Sequence, residues 1–292
     1  MKAAFSHLLV AFLWLLHWLP LPVLRALGWG LGRLLFVLAR ARRDITLTNL
    51  RLCFPDMPQA EREKLARAHF VAFSRAVVDR VLGWWASKER LERIIRITGA
   101  EHLKDPDGRP VIMLCPHFVG LDAGGARISM FVTASCSVYS NQKNPVFNKL
   151  FYDGRRRFNE VLLLSRQEGM RRILKALKEG YQFYYLPDMD FGRKESIFVP
   201  FFGVQAATIP ALSRLVRLTG ALVVPCITRQ VPDGYEVEVM APWENYPGES
   251  VEADTAYVNR FIEGQVLRMP EQYFWLHKRF KTRPPGEQRF YK

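Results

Sequence analysis

Apolar residues run almost unbroken from Ala3 to Leu24, with no Asp, Glu, Lys or Arg among them. Only Ser6, His7, His17, Pro20 and Pro22 interrupt the run. Read as one helix, it predicts a rod of about 33 Å at 1.5 Å per residue, against a hydrocarbon core of roughly 30 Å. Trp14 and Trp18 suit a membrane interface. A second apolar stretch, Leu27 to Ala39, contains Arg33 and three glycines, with Arg25 just before it. It is too short and too charged to span, and is expected to lie in the interface or pack on the domain. The cluster Arg40, Arg42, Arg43 follows, and the positive-inside tendency places this flank and all after it in the cytoplasm. A cleaved signal peptide fits poorly, because Lys2 is the sole early positive charge and no Ala-x-Ala site follows.

Beyond the anchor the periodicity changes. Phe70, Phe73, Val77, Val81 and Trp84 recur at three- and four-residue steps, predicting an amphipathic helix over Gln59 to Trp85. Glu61, Arg62, Lys64, Arg75 and Arg80 fall on its opposite face. Val111 to Cys115 reads as a buried strand, and Phe131 to Tyr139 as another. Glu168 to Glu179 predicts a helix with Met170, Ile173, Leu174 and Leu177 inward. Phe183 to Leu186 predicts a strand, Thr208 to Thr219 a helix stopped by Gly220, and Ala221 to Ile227 a strand. Tyr235 to Met240 alternates like an edge strand, and Val251 to Met269 predicts a last helix. Such alternation implies an α/β fold with a mixed, largely parallel sheet flanked by helices. The expected layout is an N-terminal membrane anchor with a basic juxtamembrane segment over residues 1–44, then one catalytic domain over 45–292.

Composition narrows the class. Of 292 residues, 49% are hydrophobic and 13% aromatic, which argues against a disordered or fibrous chain. Net charge is +14, which calls for nucleic acid, an anionic membrane surface or an anionic small molecule as partner. Cys53, Cys115, Cys136 and Cys226 lie far apart without CxxC spacing, so neither a zinc ribbon nor a dense disulfide scaffold is expected.

Candidate chemistry clusters after the predicted strands. His117 follows the strand ending at Cys115, and Asp122 stands five residues on, where a helix should begin. Sites in open α/β sheets form at such strand ends. The turn is expected to bring Asp122 back to one ring nitrogen, fixing the tautomer while the other nitrogen takes a proton. As spacing alone, an ordinary loop histidine and a capping aspartate are the better fit. No GxSxG elbow accompanies it, which favours direct attack by a substrate hydroxyl over an acyl-enzyme. Asp153 to Asn159 is a basic cluster whose arginines suit phosphate, or a solvated face. Asp188 and Asp190 follow another strand, and with no further ligand cluster nearby a turn is favoured over a metal site. Thr208 reads as a helix N-cap ahead of Pro210. Trp275 to Pro284 is basic and aromatic, suited to a membrane surface, to phosphate or to RNA, with lipid preferred given the anchor.

Together these pieces resemble the bacterial lipid A biosynthesis acyltransferases of the lauroyl/myristoyl type, within the lysophospholipid acyltransferase-like superfamily. The likeness rests on an ordered set: His117-x4-Asp122, Gly154-Arg155-x-Arg157, Leu186-Pro187-Asp188-x-Asp190-Phe191-Gly192, Phe201-Phe202-Gly203 with Ala207-Thr208, and the stretch from Pro270 to Pro284. It implies transfer of a fatty acyl chain from acyl carrier protein to a hydroxyl of a Kdo-bearing, phosphorylated glucosamine-disaccharide lipid A precursor. It implies His117 as general base oriented by Asp122. Arg155 and Arg157 then serve the substrate's phosphate or the oxyanion, and Asp188 and Asp190, at the substrate-binding site, have a structural or arginine-orienting role. No cofactor, no catalytic metal and no nucleic acid are implied. Acyl carrier protein, the lipid acceptor and anionic membrane lipids are the implied partners, at the cytoplasmic face of the inner membrane of a Gram-negative bacterium. Two alternatives stay open on sequence: an enzyme of the same superfamily acting on a glycerophospholipid or another glycolipid, and a non-catalytic, membrane-tethered basic protein that binds lipid or RNA.

Overall fold

The structure, a computed structural model, describes residues 2–291; Met1 and Lys292 lie outside the described residues. Three helices come first: α1 (Lys2–Leu16), α2 (Leu21–Leu38) and α3 (Arg40–Cys53). They are followed by α4 (Gln59–Trp85), α5 (Lys88–Ile94), β1 (Ile95–Thr98), β2 (Val111–Leu114) and α6 (Leu121–Ile128). Next come β3 (Ala134–Tyr139), α7 (Pro145–Arg155), β4 (Glu160–Ser165), α8 (Gly169–Lys178) and β5 (Gln182–Tyr185). The chain closes with β6 (Ile197–Phe201), β7 (Val204–Thr208), α9 (Ala211–Thr219), β8 (Leu222–Val231), β9 (Gly234–Val239) and α10 (Val251–Arg268).

Seven strands form one sheet in the order β1-β9-β8-β2-β5-β3-β4. Every neighbouring pair is parallel except β8 with β9. The expected mixed, largely parallel sheet flanked by helices is therefore present. All four residues of β2 are buried, as a central strand covered on both faces requires. Their side chains alternate between two apolar clusters. Ile112 and Leu114 join Phe183, Leu215 and Val258 on one face, while Val111 and Met113 join Leu91, Ile128 and Val224 on the other. β6 and β7 make a separate hairpin, turned at Phe202 (φ 50°) and Gly203 (φ 74°), the two left-handed positions of a tight hairpin turn.

Several expectations change. The strand expected from Phe131 begins only at Ala134. β9 lies between β1 and β8, so Tyr235 to Val239 are interior rather than edge. Thr208 ends β7 instead of capping α9, whose N-cap is Pro210 without a side-chain bond. Gly220 does stop α9, at φ 65°.

The apolar N-terminus is not one rod. α1 ends at Leu16 and α2 starts after Pro20, because Pro20 and Pro22 have no N–H to continue the ladder and their rings clash with the preceding turn. Arg90 donates to the carbonyls of His17 and Leu19 and holds the break. At about 22 Å, α1 is shorter than a hydrocarbon core. α2 is long and apolar enough to cross a membrane by length and composition, yet 28% of it is buried. It lies tightly on α4: a Cβ at Gly28 would stand 2.6 Å from the Arg75 Cα, and one at Gly32 2.6 Å from the Val71 Cα.

Candidate active site

β2 and β5 are neighbouring parallel strands with Leu114 paired to Tyr185. His117 and Asp188 each stand three residues past that pair. Parallel neighbours end on the same side of the sheet, so the two loops meet. The Asp188 carboxylate accepts from the His117 backbone N–H at 3.0 Å and contacts ring Nδ1 at 2.7 Å. On the other side, the His117 carbonyl accepts from the Phe274 N–H at 2.9 Å, and the Phe274 ring stacks on the imidazole with centroids 6.2 Å apart. His117 is thus clamped through backbone and ring. Its Nε2 has no hydrogen-bond partner among the described residues, and the side chain is 21% exposed. Burial pushes the Asp188 carboxyl up, but His117, by charge and hydrogen bonds, and Arg279 outweigh it and hold it below the usual carboxylate range.

Asp122 does not reach this histidine through a hydrogen bond. It sits in the first turn of α6 and takes two arginines instead: Arg80 of α4 at 2.6 Å and Arg155 at the end of α7 at 3.5 Å. Burial raises this carboxyl as well, and the charges of Arg80 and Arg155 more than reverse it. One carboxylate between two guanidiniums leaves about one surplus positive charge. All three groups and His117 line one cavity of about 420 Å³. Its inner wall is largely apolar, with Leu82, Leu91, Ile94, Ile95, Met113 and Ile128 among its residues. Glycines set its walls. A Cβ at Gly124 would stand 1.9 Å from the Thr228 Oγ1, so α6 lies directly on β8. A Cβ at Gly154 would stand 2.4 Å from Trp84 Cδ1, so α7 presses on α4 beside Arg155.

The remaining expected site residues lie elsewhere. Arg157 donates to the carbonyls of Gly83 (2.6 Å) and Ala86 (2.7 Å), closing the end of α4 where helix carbonyls lack partners. Asp190 is 5% exposed and accepts from Thr282 N–H, Thr282 Oγ1 and Gly192 N–H, while its own N–H donates to His277 Nε2. It ties the C-terminal segment down. That segment is not a surface element: Trp275, Arg279 and Phe280 are each no more than 2% exposed. Arg279 donates to Ala207 O and Thr208 Oγ1. Arg80 was missed at the sequence level because α4 reads as a helix with one polar face, on which Arg80 is one charge among several. Nothing local marks it; only the approach of α6 does.

Residues 1–282 match the family described as bacterial lipid A biosynthesis acyltransferase. The lipid A biosynthesis lauroyltransferase of Escherichia coli (strain K12) is 36% identical over 282 residues, covering 95% of this chain and 91% of the relative. The palmitoleoyltransferase of the same organism is 35% identical over 284 residues, covering 96% and 92%. Its myristoyltransferase is 32% identical over 277 residues, covering 93% and 84%.

Proposed function

Given that the chain belongs to the bacterial lipid A biosynthesis acyltransferases, and so is an acyltransferase, we propose that it moves a lauroyl or myristoyl chain from acyl carrier protein to a hydroxyacyl-chain hydroxyl of a phosphorylated, Kdo-bearing lipid A precursor. The observation that carries this reading is a histidine held at Nδ1 by a buried aspartate, with Nε2 unpartnered in a cavity of apolar interior. His117 Nε2 takes the proton from the acceptor hydroxyl as that oxygen attacks the thioester carbonyl. The tetrahedral intermediate collapses, the C–S bond breaks, and the imidazolium returns the proton to the leaving thiolate. Asp188 supplies the orientation and charge that favour imidazolium. This places Asp188 where the spacing of His117 and Asp122 had suggested Asp122.

Asp122 acts through the arginines it positions. The surplus charge of the Arg80–Asp122–Arg155 group holds a substrate anion, and Arg155→Gln identifies which one. Loss in kcat marks the oxyanion of the intermediate, whereas a raised KM with kcat kept marks the acceptor's phosphate.

The apolar helices α1 and α2 bring the cavity to the acceptor's membrane. Among the described residues, all exposed large hydrophobic side chains other than Phe131, Leu218, Tyr257 and Leu267 lie between Phe5 and Leu38. Because the inner face of α2 is locked to α4, the two helices enter one leaflet of the inner membrane from its cytoplasmic side rather than crossing it.

The test is mass spectrometry of a tetra-acylated, Kdo-bearing lipid A precursor incubated with membranes holding this protein and acyl carrier proteins of mixed chain length. A gain of one acyl mass, absent with His117→Ala, supports the reading and gives the chain length. No gain with any donor overturns it.

A further inference from the structure

A second cavity, about 860 Å³, opens between α2 and α4 and shares no lining residue with the one at His117. Helical spacing builds it. Trp29, Arg33 and Phe36 fall at four- and three-residue steps on α2, and Arg67 and Arg75 lie eight apart, two turns, on α4. The contact at Gly28 and Gly32 brings these two rows together. Arg33 lies over the Trp29 ring at 4.8 Å and Arg67 over the Phe36 ring at 4.3 Å, so aromatic faces hold both guanidiniums in place. Arg75 donates to the Arg25 carbonyl. Among the described residues, none of Arg33, Arg67 and Arg75 forms an ion pair with a carboxylate, and Glu271 is the one acidic residue in the lining. Burial, with the like charge of Arg25 added, holds the Arg75 pKa below its usual value, and the nearby Asp79 and Tyr235 oppose this only in part.

The wall between the cavities is itself neutralised. Arg25 pairs with Asp79 at 2.9 Å, and Asp79 also accepts from the Tyr235 hydroxyl at 2.7 Å. The charge of Arg33, Arg67 and Arg75 therefore faces the second cavity and not the first. The rim there is apolar and open: Trp29 is 47% and Val37 58% exposed, continuous with the lipid-facing side of α2. Three guanidinium groups beside an apolar rail suit a phosphate group that carries hydrocarbon chains.

We propose that this cavity holds the phosphate of an anionic bilayer phospholipid whose acyl chains lie along the exposed face of α2. It rests on the reading that α1 and α2 enter the membrane, and it adds a headgroup site separate from the catalytic cavity. The site fixes how the enzyme sits on the membrane surface and so where the mouth of the catalytic cavity opens.

The experiment is flotation of the purified full chain with neutral phosphatidylcholine vesicles and with vesicles also containing phosphatidylglycerol. The unaltered protein is expected to bind both and to prefer the anionic ones. Arg33→Gln with Arg67→Gln, both exposed and free of structural hydrogen bonds, is expected to lower the preference about 30-fold, at roughly fivefold per arginine. Adding Arg75→Gln lowers it further, with thermal melts run to verify folding. A charge-matched variant on α8, Arg171→Gln with Lys175→Gln, keeps the preference. Equal loss in both variants, or no anionic preference at all, overturns the proposal in favour of general surface charge. A raised KM for the acceptor in neutral detergent micelles with the vesicle preference intact also overturns it, and gives the cavity to the acceptor's own phosphate. No flotation with either vesicle sinks the membrane reading of α1 and α2 instead.

Discussion

Asp188 binds His117 twice, once at the backbone and once at the ring, so the side chain holds both the position and the charge of the proposed base. Asp188→Asn keeps the shape and removes the charge. It is expected to lower kcat by about 10²–10⁴-fold with little change in KM, read by steady-state acyl transfer. Asp122 belongs to a different group of contacts, and a double-mutant cycle shows this. Asp122→Asn and Arg155→Gln are expected to be non-additive with each other, while Asp122→Asn and Asp188→Asn add. Coupling in the reverse sense returns Asp122 to the histidine. His117's place directly after a buried strand was legible in the sequence. Its aspartate was not, because Asp188 lies 71 residues away and no local pattern links them.

Among the elements, the contact between α2 and α4 carries most of the argument. Gly32 allows backbone to meet backbone, whereas Gly30 faces open space with nothing within 4 Å. Gly32→Ala is expected to lower stability by about 1–3 kcal/mol through overpacking. Gly30→Ala is expected to raise it by roughly 0.5–1 kcal/mol, since alanine gives up less conformational freedom in a helix interior. Denaturant unfolding of the two variants in detergent measures both; equal effects overturn the packing argument. The strongly periodic elements were readable in advance. The helix expected over Gln59 to Trp85 matches α4 at both ends, and the one over Val251 to Met269 matches α10 to within a residue. β1, β4 and the β6–β7 hairpin were not read, because short strands carry few residues and their identity depends on the strand beside them.

For the whole molecule, two buried histidines set the acid limit. Burial lowers His69 to about 4, and burial together with the nearby charges of Arg279 and His117 lowers His277 to about 4. In the unfolded chain each titrates near 6.5. Between these values the unfolded state binds more protons, so stability is full above about pH 6.5 and falls as pH drops toward 4. At pH 5 the loss is about 2 kcal/mol for each histidine. Asp188 and Asp122 have depressed values, so their contribution persists above the unfolded value near 4 and is lost only below it. Thermal melts are therefore expected to fall by several degrees from pH 7 to pH 5, and His69→Gln is expected to flatten that slope. A midpoint that stays level to pH 5 counts against the assignment.

Local order and broad architecture were already determined by the sequence. Three- and four-residue periodicity marks a helix wherever one face must be buried, and a short apolar run marks a covered strand, because both follow from backbone geometry alone. The ordered set of motifs was also enough to place the chain in its family. Strand order decided the rest. By setting β2 beside β5 it paired His117 with Asp188; by laying α6 against α4 and α7 it gave Asp122 to Arg80 and Arg155. It also drew the basic, aromatic C-terminal segment into the core, where Asp190, Asn49 and Thr208 satisfy its polar groups. Contacts of that kind are chosen by the free energy of the whole packed arrangement. A buried charge needs a partner in space, and a short window of sequence does not contain the distance between residues far apart along the chain.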